Sequence, residues 1–144
     1  MFSKACEYGI RASTYIALQS LEGKRVSLKE IAKEINSPVA FTAKILQQLS
    51  KNNIVESVKG AQGGFEIDKT NINTIKLIDI VYAIDGDNVY VGCVLGLEEC
   101  KAAKPCPVHD KFVQIRDDLK HMLDNTSLFE MTAGLGVGLT YLKG

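Results

Sequence analysis

No run in this 144-residue sequence is apolar for the length that a bilayer-spanning helix needs. Met1 to Ile10 also lacks the basic segment and apolar core of an export signal. Both absences point to a cytoplasmic protein with no membrane partner. Charge bias is missing too. The 17 Lys and Arg balance 17 Asp and Glu, which argues against holding nucleic acid by bulk charge. There are two histidines, no Cys-x-x-Cys, and no Ser/His/Asp or paired-carboxylate arrangement, so nucleophilic and thiol-redox catalysis have little to work with. The glycine stretch Lys59-Gly60-Ala61-Gln62-Gly63-Gly64 fits neither the dinucleotide fingerprint nor the P-loop. These exclusions leave a protein that is not an enzyme.

What is present suits one domain with a small appendage, since 46% apolar content is enough to bury a core. In a reducing compartment, four cysteines read as thiols, metal ligands or redox sensors before disulfides. The zero net charge hides an uneven distribution. Residues 1–69 hold ten Lys/Arg against seven Asp/Glu, and residues 70–144 hold seven against ten.

The N-terminal half predicts three helices and a hairpin. Ile10, Tyr15, Ile16, Ala17, Leu18 and Leu21 share a face of a first helix from Ala5 to Leu21, with Gly23 to end it. Ser27-Leu28-Lys29-Glu30 has the form of a capping box opening a second helix that runs to about Ile35. Ser37 suits an N-cap and Pro38 the first position of a third helix. That helix turns Phe41, Ile45, Leu46 and Leu49 inward and leaves Ala40, Thr42, Ala43, Lys44, Gln47, Gln48 and Lys51 outside. Two short helices across a tight turn make a helix-turn-helix. Strands at Ile54 to Val58 and Phe65 to Ile67 flank the glycine stretch as a wing. Thr42, Ala43, Lys44, Gln47, Gln48, Lys51, Lys59, Gly60 and Gln62 are therefore the candidate DNA contacts. The glutamines and small residues would read base edges, and the lysines would meet phosphate.

The C-terminal half is built differently. Ile75, Leu77, Ile78, Ile80, Val81 and Ile84 form an apolar run, part strand and part helix, stopped by Asp85-Gly86. Cys93-x6-Cys100-x5-Cys106-x2-His109 follows within seventeen residues, among Gly92, Gly96, Pro105 and Pro107. Thiolates and an imidazole on so short a loop can converge on one soft metal centre. Val108, Phe112, Ile115, Leu119 and Met122 are spaced four, three, four and three, as in the seam of a helix that pairs with another. That helix can pack on the first helix or, as the preferred reading, join two subunits into a homodimer matching two DNA half-sites. Thr126 or Ser127, with Glu130, can cap a last short helix near Leu128 to Ala133, before a glycine-rich tail.

The start Lys4-Ala5-Cys6-Glu7-Tyr8-Gly9-Ile10-Arg11-Ala12, the helix Pro38 to Leu46, the wing Val58 to Phe65 and the three-cysteine loop resemble, in that order and over nearly the whole chain, the winged-helix regulators typified by IscR, NsrR and CymR. The resemblance implies a mainly α fold with a small β-hairpin wing. A winged helix-turn-helix DNA-binding domain would occupy residues 1–84, a cluster-binding loop 85–109, and a dimerisation helix and C-terminal segment 110–144. It further implies a homodimeric transcription factor on a double-stranded DNA operator, with an iron–sulfur cluster, 2Fe-2S ahead of 4Fe-4S, on Cys93, Cys100 and Cys106. Six residues separate the first two cysteines where the family has five. The fourth ligand is either His109 or Glu7 of the opposite subunit, and the motifs leave both open. Glu7 can equally pair with Arg11 at i+4, and Cys6 reads as a buried thiol. A structural zinc site, a cluster-free thiol or small-molecule sensor, and a small iron–sulfur electron carrier are the competing functions.

Overall fold

A computed structural model of the chain describes residues 1–143. The chain runs α1 (Lys4–Leu21), α2 (Leu28–Glu34), α3 (Val39–Lys51), β1 (Glu56–Val58), β2 (Gly64–Glu66), α4 (Lys69–Ile72), α5 (Leu77–Asp85), α6 (Asn88–Val91), α7 (His109–Asn125) and α8 (Leu128–Gly136). It is mainly α with one two-stranded antiparallel hairpin.

Local chemistry sets most helix starts. Ser3 caps α1 by accepting from the Cys6 N–H at 3.0 Å. Ser27 accepts from Glu30 N–H at 3.2 Å, but its hydroxyl then donates to the Glu30 carboxylate. The expected capping box at α2 is therefore only half formed. The reciprocal box is at α8, where Ser127 Oγ accepts from Glu30's counterpart, the Glu130 N–H, and the Glu130 carboxylate accepts from the Ser127 N–H. At α3 the N-cap is Pro38, one residue later than expected, and no side chain caps the first turn. The Ser37 hydroxyl is buried beside the Pro38 carbonyl instead.

The core lies where α1, α2, α3 and α5 meet, with Ile16, Ile31, Ile35, Ile45, Leu46, Leu49 and Ile80 fully or almost fully buried. Each such side chain contributes roughly 1.5–3 kcal/mol on leaving water. The hairpin pairs Glu56 with Glu66, Ser57 with Phe65 and Val58 with Gly64. Its strands are shorter than expected because Ile54, Val55 and Ile67 turn into the core rather than continue the ladder. Val26 adds a third rung by exchanging two backbone hydrogen bonds with Phe65.

The apolar run after the wing resolves into an isolated bridge, Lys76 with Ser127, leading into α5. This bridge ties the C-terminal segment to the head. The α8 helix packs on α1, whereas α7 packs on α5 and α6 through the fully buried Leu123. The intramolecular partner of α7 is thus α5 rather than α1. The short helices α4 and α6 lie in stretches whose composition reads as loop. Asp68 starts α4, its carboxylate accepting from the Thr70 N–H at 2.9 Å. No helix among the described residues is long and apolar enough to cross a membrane.

Candidate DNA interface and cysteine loop

The sequence singles out nine residues for DNA, and the fold places them on α3 and the wing. Lys44, Gln47, Gln48 and Lys51 are exposed along α3, and Lys59, Gly60 and Gln62 are exposed on the wing turn. Ala43 is half-buried. Thr42 departs from the expectation, because its side chain is fully buried and its hydroxyl donates to the Pro38 carbonyl at 2.9 Å. A β-branched hydroxyl one turn into a helix satisfies itself on the i−4 carbonyl, and this points Thr42 away from any duplex. Exposed apolar Val39, at the start of α3, takes its place on the outward face.

The wing is braced from outside the hairpin by Arg25, which composition alone did not mark. Its Nε donates to the Glu66 carboxylate at 3.0 Å and its Nη1 to the Gln62 carbonyl at 3.4 Å. Gln62 keeps its side chain free while its backbone is held. At the other end of the wing, Gly64 has φ +143, and its α-carbon lies against the Val26 carbonyl too closely for any Cβ.

All four cysteines are free thiols. Cys6 is fully buried on α1, where burial and then the nearby Asp85 carboxylate push its thiol up to about 12. The Asp85 carboxylate also accepts from the Ser3 N–H at 2.9 Å, and together they fasten the start of α1 to the end of α5. Cys6 is therefore a packing residue.

The three loop cysteines and His109 are half-buried. Cys93 lies in a backbone pocket. The N–H of Leu97, then those of Leu95 and Gly96, face its sulfur, and with the Arg116 charge they hold the thiol below its ordinary value. Converging N–H groups favour an anion. Cys100 Sγ is 3.3 Å from His109 Nδ1 and accepts from Arg116 Nη2 at 3.1 Å. The loop thus brings Cys100 and His109 together. Among the described residues no three His, Cys, Asp or Glu side chains are grouped tightly enough to share a metal ion. The donor chemistry nevertheless fits a thiolate-bound soft metal, because the loop carries three thiols and an imidazole, and Cys100 faces a cation.

Glu7 is exposed on α1, and among the described residues it makes no side-chain hydrogen bond or ion pair with Arg11. Arg11 donates to the Ile35 carbonyl at 2.5 Å and stacks over Tyr8. Along α7, Leu119 packs against the core, but Ile115 and Met122, one heptad apart, are 54% and 44% exposed.

Comparison with known proteins places this architecture. Residues 2–134 match the family model Rrf2, described as an iron-dependent transcriptional regulator. A putative HTH-type transcriptional regulator of Aquifex aeolicus is 32% identical over 133 residues, covering 91% of this chain and 90% of that one. The HTH-type transcriptional regulator IscR of Pectobacterium atrosepticum is 29% identical over 124 residues, 86% of this chain and 74% of its own length. Among solved structures, CymR, the global cysteine regulator of B. subtilis, superposes with a TM-score of 0.76 at 25% identity, covering 92% of this chain and 96% of that one. T. potens IscR superposes with a TM-score of 0.75 at 22% identity, covering 99% and 93%, and supports the fold alone. With a helix-turn-helix, a braced wing and a family match over nearly its whole length, the chain belongs to the Rrf2 family and is a winged-helix DNA-binding transcriptional regulator.

Proposed function

We propose that this regulator works as a homodimer whose operator affinity is controlled by an iron–sulfur cluster on Cys93, Cys100 and Cys106. The observation that carries this reading is the meeting of the His109 imidazole and the Arg116 guanidinium on Cys100 Sγ, in a loop that runs directly into α7. His109 is the favoured fourth ligand because it already touches Cys100. Glu7 is exposed on α1, where only a second subunit could bring it to the loop. When bound, the cluster supplies iron and sulfide that react with oxidants and nitric oxide and respond to iron supply.

The remaining steps belong to the protein. Cys93, Cys100 and Cys106 would hold the cluster, and because the loop leads straight into α7, ordering it would bear on the first turns of that helix. The exposed Ile115 and Met122 give that helix an apolar edge for the second subunit, so a shift there changes the separation of the two α3 helices. Gln47 and Gln48 then meet base edges, and Lys44, Lys51 and Lys59 meet phosphates.

The test is anaerobic purification with iron and sulfide counts, followed by operator titration of the loaded and metal-free dimer. Different affinity or sequence preference in the two forms is expected, and equal values in both sink the switch. His109→Ala and Glu7→Ala identify the fourth ligand by their cluster spectra. Sedimentation of Ile115→Glu and Met122→Glu tests the dimer edge, with monomers expected.

A second reading is a thiol sensor without a cluster. It is favoured by the lowered Cys93 thiol, by the separation of the cysteines and by the likeness to CymR. In that case a colourless, iron-free protein loses or gains operator binding on mild oxidation, and Cys93→Ser abolishes the response.

A further inference from the structure

We propose that Arg116 is the positioning residue of the cysteine loop, fastening Cys100 and the backbone before Cys93 to α7 and setting a positive charge against the thiolates. This role rests on the cysteines acting as the cluster ligands. Arg116 reaches three acceptors at once: Nη1 donates to the Val91 carbonyl at 2.7 Å and the Gly92 carbonyl at 2.5 Å, and Nη2 donates to Cys100 Sγ at 3.1 Å. Its guanidinium therefore touches the chain just before the first cysteine and the sulfur of the second.

His109 touches the same sulfur and lies seven residues earlier on α7. Residues i and i+7 share a helix face. Cys100 is thus held from one face of one helix, at two points two turns apart. Among the described residues, the side-chain hydrogen bonds joining residues 91–100 to α7 are those of Arg116 and His109. They add a direct side-chain link to the covalent one by which a movement of the loop passes to α7.

The choice of arginine has a physical reason. A planar fork of five donors can hold two carbonyls and a sulfur together, whereas a lysine ammonium cannot keep that geometry. Two of the five donors are left over, and one of them, on the buried Nε, has no partner among the described residues. Buried donors are rarely left unmatched. In the same guanidinium that binds Cys100, this N–H is a donor suited to the anionic group that three thiolates would hold. Residues next to metal ligands commonly set ligand orientation and charge in this way.

The test compares wild type with Arg116→Lys, Arg116→Gln and Arg116→Ala in the full chain. In metal-free reduced protein, amide exchange across residues 91–101, and alkylation of Cys100 at a pH alkaline enough to ionise the thiol in every variant, should both speed up in the Gln and Ala variants and less so in Lys. Exchange in α2 and α3 should not change. In protein reconstituted anaerobically with iron and sulfide, iron affinity should fall about 10- to 100-fold in Gln and Ala. The reduction potential should drop in those two variants and stay near wild type in Lys, which keeps the charge. Packing alone does not predict that pattern. Unchanged exchange and alkylation in Gln, together with an unchanged potential, overturn the proposal. If Ala does not fold, Gln and Lys still decide. Should wild type take up no iron or sulfide, the cluster reading and the charge role fall together, and the metal-free readouts alone judge the positioning role.

Discussion

Gly64→Ala tests how the wing is built. Gly64 pairs with Val58 at φ +143, and an added methyl would sit 2.7 Å from the Val26 carbonyl oxygen and 3.1 Å from its carbon. Both are backbone atoms and cannot swing aside. Val26 and Phe65 exchange hydrogen bonds of 3.1 and 2.8 Å next to this point, so the methyl enters only if that bridge opens. A non-glycine residue in such a backbone region costs about 1–3 kcal/mol, and two weakened hydrogen bonds cost about 0.5–1.5 kcal/mol each. The expected loss is about 2–6 kcal/mol, combining those two ranges. Gly60→Ala is the control, because Gly60 has φ +107 with open space around it and should lose only the conformational part, about 1–3 kcal/mol. Urea unfolding of both variants measures the difference. Gly64→Ala should exceed Gly60→Ala by about 1–3 kcal/mol, the share of the Val26 bridge, and should weaken operator binding further by displacing Lys59 and Gln62. Equal losses in the two variants would refute the claim that the Val26 carbonyl excludes a side chain at position 64.

Four further outcomes follow from the same geometry. Lys59→Ala should weaken binding to all duplexes and flatten the salt dependence by about 0.9 in log–log slope, one phosphate contact; an unchanged slope in fluorescence titrations removes Lys59 from the interface. Thr42→Val should cost about 0.5–1.5 kcal/mol of stability for its buried hydrogen bond and leave operator preference unchanged, whereas Gln47→Ala or Gln48→Ala should lose about 1–3 kcal/mol of discrimination in competition binding. Leu123→Ala should destabilise the fold by about 2–5 kcal/mol in thermal unfolding, because it leaves a cavity between α7 and α5. At Asp68, the Thr70 N–H and hydroxyl hold the carboxyl below its ordinary 3.8. The stability it adds is therefore present above that value and lost as pH falls through the lowered one. Asp68→Ala should lower the thermal midpoint at neutral pH, and the gap from wild type should close in strong acid.

Much of the DNA-reading head was legible because its signals are local. Ser27 and Ser127 cap helices within three residues of themselves, the inward periodicity of Ile45, Leu46 and Leu49 is a property of one helix, and Lys59 to Gly64 is recognisable as a turn by composition. Thr42 was misplaced for a reason of the same scale. Helical periodicity sets it on the rim of α3, and only the packing of α3 among α1, α2 and α5 decides that this rim is covered. The cysteine loop was legible as a set of donors but not as a geometry. Arg116, one charge among several on α7, joins the loop to that helix together with His109.

Sequence by itself determined the long helices, the wing turn, the outward lysines and glutamines and the family, because capping, periodicity and spacing act over a few residues. Tertiary structure decided the rest. Packing chose α5 and α6 as the partners of α7, buried Thr42, braced the wing with Arg25, and set His109 and Arg116 on one sulfur, since each of these depends on which distant surfaces exclude water from each other.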